Sequence, residues 1–145
     1  MAILLDARTS MNINATDPAP DPIPVSVAFL IGQVGLIVPS DTPGIIRVQF
    51  DGIFGLELPV EPETSTNVTL FIVNGTLSTD PIVYSSIRTF NTSLTNNQLV
   101  PLSASAYDVP APVSNQLVYT LFGIVDTTGV LRSGPENFNA AAYSL

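Results

Sequence analysis

The chain of 145 residues has no cysteine, no histidine, no tryptophan and no lysine. Without cysteine and histidine there is no thiolate or imidazole metal site, and no Ser–His–Asp or Cys–His machinery. Without lysine, positive charge reduces to Arg8, Arg47, Arg88 and Arg132, set against twelve carboxylates for a net charge of −8. Four scattered arginines supply no basic stripe for nucleic acid. No apolar run reaches the ~18 residues of a membrane-spanning helix, so no membrane insertion is expected. Charged residues are 11% of the chain, against ~25% in an ordinary domain, and hydrophobic residues are 46%. A surface so poor in charge, filled with Ser, Thr, Asn and Gln, suits packing against copies of itself. An acidic, secreted all-β domain is the other reading of the same composition.

Proline and glycine punctuate the chain. The N-terminus has no positive region, and its apolar run stops at Asp6, shorter than a secretory signal requires. In Asp17-Pro-Ala-Pro-Asp-Pro-Ile-Pro24 every second residue after Asp17 is proline, which removes alternate amide donors and fixes φ. This stretch is expected to be a stiff polyproline-II spacer of roughly 25 Å. The chain thus divides into a connector arm (1–16), a spacer (17–24) and a body (25–145). In the body, Ile46, Val48 and Phe50 alternate with Arg47, Gln49 and Asp51, and the alternation resumes at Phe54, Leu56 and Leu58. Further strands are expected over 25–31, 34–38, 67–73, 82–89, 99–106, 117–125 and 137–144. Between them lie turn signals, among them Asn74-Gly75, Asp126 to Gly129 and Gly134-Pro135. Eight or nine short strands at this spacing predict an all-β antiparallel sandwich or jelly roll. Residues 118–125 are apolar almost throughout, which predicts burial on both faces, in the core and at a subunit contact.

Candidate chemistry is sparse. The carboxylate pairs Glu61/Glu63 and Asp51/Glu57 read better as solvated acidic positions than as acid–base machinery, and no spacing matches a calcium loop. Asn14, Asn67, Asn74 and Asn91 match the N-glycosylation pattern in a chain rich in such residues. Tyr84, Tyr107, Tyr119 and Tyr143 offer either a sugar platform or core-edge packing. No catalytic residue, cofactor or metal ligand emerges, and an enzyme is not expected.

The arm is the most suggestive segment. Ile3, Leu4, Leu5, Met11 and Ile13 are apolar, and an N-terminal tail frays unless it docks. A stiff spacer carries it away from its own body, which points to docking on a neighbouring subunit by strand addition. The run from Arg47-Val-Gln-Phe-Asp-Gly through Asn67-Val-Thr-Leu-Phe-Ile-Val and Leu117-Val-Tyr-Thr-Leu-Phe, with the ending Arg132-Ser-Gly-Pro-Glu-Asn-Phe-Asn-Ala-Ala-Ala-Tyr-Ser, resembles exosporium and appendage fibre subunits of endospore-forming bacilli. Their jelly rolls are of the C1q/TNF-like kind. There is no Gly-x-y repeat and no cysteine, so neither a collagen-stalked head nor a disulfide-clamped appendage is implied. The resemblance implies a non-catalytic homotrimer, stacked into a filament on the spore or cell surface, with an anchoring protein at the base of the fibre as a further partner. Such proteins are made inside the mother cell and need no signal peptide. The expected trimer axis is the small-residue run Ala140, Ala141 and Ala142, flanked by Tyr119 and Leu121. The alternatives are a phage or viral fibre or decoration protein and a carbohydrate-binding jelly-roll module.

Overall fold

The computed structural model describes residues 2–16, 20–59, 65–91 and 98–145. Among them there is no helix, and so none long and apolar enough to cross a membrane. Nine strands are present: β1 (Ile3–Ile13), β2 (Asp21–Pro22), β3 (Phe29–Val38), β4 (Ile46–Glu57), β5 (Thr66–Asn74), β6 (Ile82–Phe90), β7 (Leu99–Asp108), β8 (Ser114–Val125) and β9 (Leu131–Ser144). One sheet runs β1-β9-β4-β7, with β2 beside the first half of β9, and the other runs β3-β8-β5-β6. The antiparallel partners β1/β9, β3/β8, β4/β7 and β5/β6 are nested about the β5–β6 turn. A single long hairpin rolled across itself gives this order, and it is the jelly roll the strand spacing predicts.

The rolled hairpin explains why pairs of expected strands merge. Residues 25–31 and 34–38 were expected as two strands, but Gly32 and Gln33 continue β3. A Cβ on Gly32 would stand 2.6 Å from the Phe138 Cβ, so glycine lets the two sheets approach there without breaking the ladder. Gly52 likewise continues β4. The Gly134-Pro135 signal, expected as a turn, lies inside β9. There β9 bulges against β4 between Phe54 and Leu56. Asn74-Gly75 does end a strand: Gly75 has φ of 143°, and Asp80 Oδ2 accepts from the amides of Thr76 and Leu77 at 2.9 and 2.8 Å.

The arm is corrected by this topology. In the chain itself residues 3–13 are the outer strand β1, paired with β9 from Ile3–Ser144 to Ile13–Glu136. Central strand β9 needs a main-chain partner on each side, β4 on one and β1 on the other, and a segment held only by a stiff spacer would leave half of its groups unpaired. The described part of the spacer, residues 20–24, does not project either. Asp21 and Pro22 pair with Arg132 and Leu131, and Ile23 is buried with its amide donating to the Val130 carbonyl at 2.9 Å. Residues 17–19 of the expected spacer lie outside the described residues.

The core fills the space between the sheets. Phe50 packs edge-on to Tyr119 at 4.7 Å and stacks with Phe138 at 5.9 Å, while Phe29 meets Phe54 at 5.2 Å. The buried Tyr119 hydroxyl donates to Asp108 Oδ2 at 2.6 Å. Burial first, then the neighbouring carboxylate, push that phenol well above the ordinary tyrosine range.

Candidate functional site

The expected trimer-axis residues sit inside one chain. Ala140 and Ala142 point into the sandwich, 3% and 0% exposed, and Tyr119 and Leu121 are fully buried beside them. Their small and aromatic side chains interlock in one core, where Ala140 lies opposite Phe50 on β4, and present nothing to a neighbouring chain. Ala141 alone of the five is on the outer face of β9. Of the expected connector residues, Leu5 packs against the core and Ile13 touches Gly134, while Ile3, Leu4 and Met11 are exposed.

One flank of the sandwich is sealed by polar side chains of β1. Asp6 Oδ2 accepts from the Ile37 amide at 2.9 Å and Ser10 Oγ from the Gln33 amide at 3.2 Å. These two acceptors cover the otherwise open edge of β3. Partial burial disfavours the Asp6 charge, but hydrogen bonds from Ile37, Arg8 and Ala7 outweigh it and hold the carboxyl below its ordinary value. Arg132 and Glu136 complete the seal. Glu136 is fully buried, receives Arg132 on both carboxylate oxygens, and has the Asn12 amide at 3.5 Å. The same guanidinium donates to the Leu30 carbonyl at 2.9 Å and lies over the Phe29 ring. No residue of this cluster stood out in the sequence, because Arg132 and Glu136 converge only through the β9 bulge. At the opposite flank β6 and β7 make few contacts.

The two outer sheet faces differ in chemistry. On the β1-β9-β4-β7 face a groove of about 230 Å³ has Ala141 and Ala7 as its floor, with Tyr143, Gln49, Asp51 and Asn139 around it. Arg47 lies against Tyr143 and Tyr107, its carbon Cζ 5.2 and 5.8 Å from the ring centroids, and its Nε is buried without a hydrogen-bond partner. Asp51 lines the groove and Glu57 lies further along β4. Glu61 and Glu63 lie outside the described residues. The opposite face, on β3-β8-β5-β6, carries Leu30, Ile37, Val118, Phe122, Ile124, Phe71, Val73 and Ile87 at outward positions. Phe71, Val73 and Phe122 form a cluster of their own, with Phe71 and Phe122 stacked at 5.5 Å. The doubly apolar strand expected at 118–125 is β8, and its outward half is this cluster's centre. Arg88 is the only charged residue in the four strands of that sheet. Of the glycosylation-pattern asparagines, Asn67 is engaged: its amide donates to Asp126 and its carbonyl accepts from Thr89. Among the described residues no group of three or more acidic side chains is placed to hold a metal ion.

No protein-family model matches the chain, and no curated protein does. Among solved structures it is similar to dimeric latent PorU from Porphyromonas gingivalis, at 11% identity and TM-score 0.49, covering 96% of this chain and 12% of that one. It is also similar to the VP2 subviral particle of infectious bursal disease virus, at 10% identity and TM-score 0.46, covering 96% of this chain and 37% of that one. The chain therefore spans only a small part of the first and just over a third of the second. The chain's own strand order assigns the jelly roll.

Proposed function

We propose that the chain is a non-catalytic structural subunit that assembles with copies of itself into a filament on a spore or cell surface. The observation that carries this reading is the amount of large apolar side chain a single chain leaves in water. Ile87, Leu77, Ile3, Ile82, Met11 and Leu99 are each more than half exposed, and there are few charges to keep copies apart. A fold whose β3 edge is covered by its own β1 side chains suits a building block, because packing is then left to its faces and other edges. The homotrimer and the anchoring protein implied by the resemblance belong to this proposal. With β1 held on its own β9, body faces are the natural contacts. Negative-stain electron microscopy of the purified protein tests the reading: filaments or regular oligomers are expected, and a monodisperse monomer at every concentration overturns it.

One observation favours a second reading, a carbohydrate-binding module. Tyr143 lines a groove with the planar polar groups of Gln49, Asp51 and Asn139, and Arg47 lies between Tyr143 and Tyr107 beside it. Specific signals on a glycan array, abolished by Tyr107→Ala, would establish it.

A further inference from the structure

We propose that the outer face of the β3-β8-β5-β6 sheet is the contact between two copies of this chain, packed back to back about a two-fold axis. This inference deepens the self-assembly reading and rests on it.

Charge distribution carries the argument. A chain of net charge −8 repels its copies, so a stable contact must lie where the charge is not. The outer face of the β1-β9-β4-β7 sheet bears Arg47, Asp51 and Glu57 on β4, whereas the outward positions of the other sheet bear no charge at all. Asp80 and Asp126 lie beyond its ends, each already accepting backbone hydrogen bonds. Face-to-face packing through the uncharged sheet sends the charged sheets outward. At about 10 Å per packed layer they stand roughly 30 Å apart, several times the Debye length of about 8 Å. Packing through the charged sheet would instead bring like-charged Asp51 and Glu57 side chains of both copies into one layer.

Polar groups at the middle of the uncharged face bond within it. Thr120 Oγ1 donates to the Gly75 carbonyl at 2.7 Å and accepts from Gln33 Nε2 at 2.9 Å. Covering them costs no unmade hydrogen bond. The centre, Phe71 with Phe122, is tightly packed, and the rim, Leu30, Ile37 and Ile87, stands out into water. Four strands at about 4.8 Å spacing, each about nine residues at about 3.3 Å, give a footprint of roughly 19 by 30 Å. That is of the same order as the about 800 Å² each partner contributes to a standard interface. Opposed identical flat faces make an isologous contact, which closes as a pair. The groove face and the β6 and β7 edges stay free for the contacts that extend a filament.

The experiment is sedimentation velocity on the full chain, the Leu30→Glu/Ile87→Glu variant and Ser105→Glu, which puts a charge of the same sign on the other sheet. Leu30 and Ile87 are half or more exposed, so both substitutions leave the core intact, and a thermal melt verifies this. We expect the double variant to raise the concentration needed for association at least a hundredfold while Ser105→Glu changes it less than threefold. If the double variant does not fold, Ile87→Ser with Leu30→Ser replaces it, with at least a tenfold increase expected. A double variant that associates like wild type overturns the assigned face and leaves self-assembly standing. Equal loss in Ser105→Glu also overturns the face, since any added charge would then do the same. A wild-type chain that stays monomeric overturns the self-assembly reading and this inference with it.

Discussion

Replacing Arg132 by Met removes the partner of the most deeply buried charge in the described structure. Glu136 is 0% exposed, and Arg132 supplies hydrogen bonds to both of its oxygens. Only the Asn12 amide, at 3.5 Å, is left to it. A buried carboxylate deprived of its counter-ion typically costs about 3–5 kcal/mol. Loss of the Leu30 carbonyl bond and of the stacking on Phe29 adds to this. At about 2–4 °C per kcal/mol for a domain of this size, the melting temperature should fall by roughly 6–20 °C. Urea unfolding followed by far-ultraviolet circular dichroism measures the same loss as a shift in midpoint. Arg132→Met/Glu136→Leu should recover most of the stability, because the double replacement leaves no orphaned charge. If Arg132→Met costs less than about 1 kcal/mol, the pair behaves as an exposed surface pair, and the assignment of this cluster as the seal of the β1/β3 flank is wrong.

Asp6→Asn should weaken the same flank by about 1–2 kcal/mol near neutral pH, through the lost charged acceptor for the Ile37 amide. Because the folded carboxyl is held below its ordinary value, this stability is present above pH ~4 and vanishes as pH falls through the lowered value. Wild type and variant should therefore converge in acid unfolding curves once the pH has fallen below that lowered value, and a gap that persists to the acid end of the curves refutes the ionic role. Gly55→Ala should destabilise by about 1–3 kcal/mol in chemical denaturation, since a Cβ at that site would stand 2.0 Å from the Gly134 carbonyl oxygen across the β9 bulge. Tyr119→Phe should cost about 1–3 kcal/mol by thermal unfolding, by stripping Asp108 of the 2.6 Å hydroxyl bond in a part-buried site. Deleting residues 2–16 should yield aggregated or unfolded protein in gel filtration, because the edge of β9 and the core beside Leu5 lose their cover; a soluble folded body would return residues 3–13 to the role of a detachable connector.

The strands themselves were legible because alternation is a local signal. Ile46, Val48 and Phe50 face inward as the period-two pattern requires, and so do Phe54, Leu56 and Leu58. Boundaries failed wherever a glycine served packing between sheets, since Gly32 in sequence looks like any turn glycine. Gly134-Pro135 failed for a related reason: a bulge inside a central strand uses the same residues as a turn. The outward half of β8 was legible because Val118, Phe122 and Ile124 break the alternation expected of a strand with one wet face. What the sequence hid was the convergence of distant residues, such as Asn12, Leu30 and Arg132 around Glu136, which exists only after the hairpin has rolled.

The arm shows how a sound local inference can point to the wrong partner. Residues 3–13 do pair as a strand, and the alternating prolines do prevent a central strand over 18–24. Neither fact says whose edge the strand takes. In the nested order the vacant edge of β9 lies beside the β3 edge, so one segment meets two needs: main-chain pairing with β9, and side-chain acceptors for Ile37 and Gln33 on β3. Its side chains fit that position, with polar Asp6 and Ser10 toward β3, Leu5 on the core, and Leu4 and Met11 exposed. A strand built to dock only on a neighbour would have no reason to carry acceptors matched to its own β3. Side chains of β1 thus cover two amides of the β3 edge at this flank, while β6 and β7 are the outer strands at the other. On the proposed assembly, strand-to-strand extension is expected at that side and the face-to-face contact on the uncharged sheet that β6 borders.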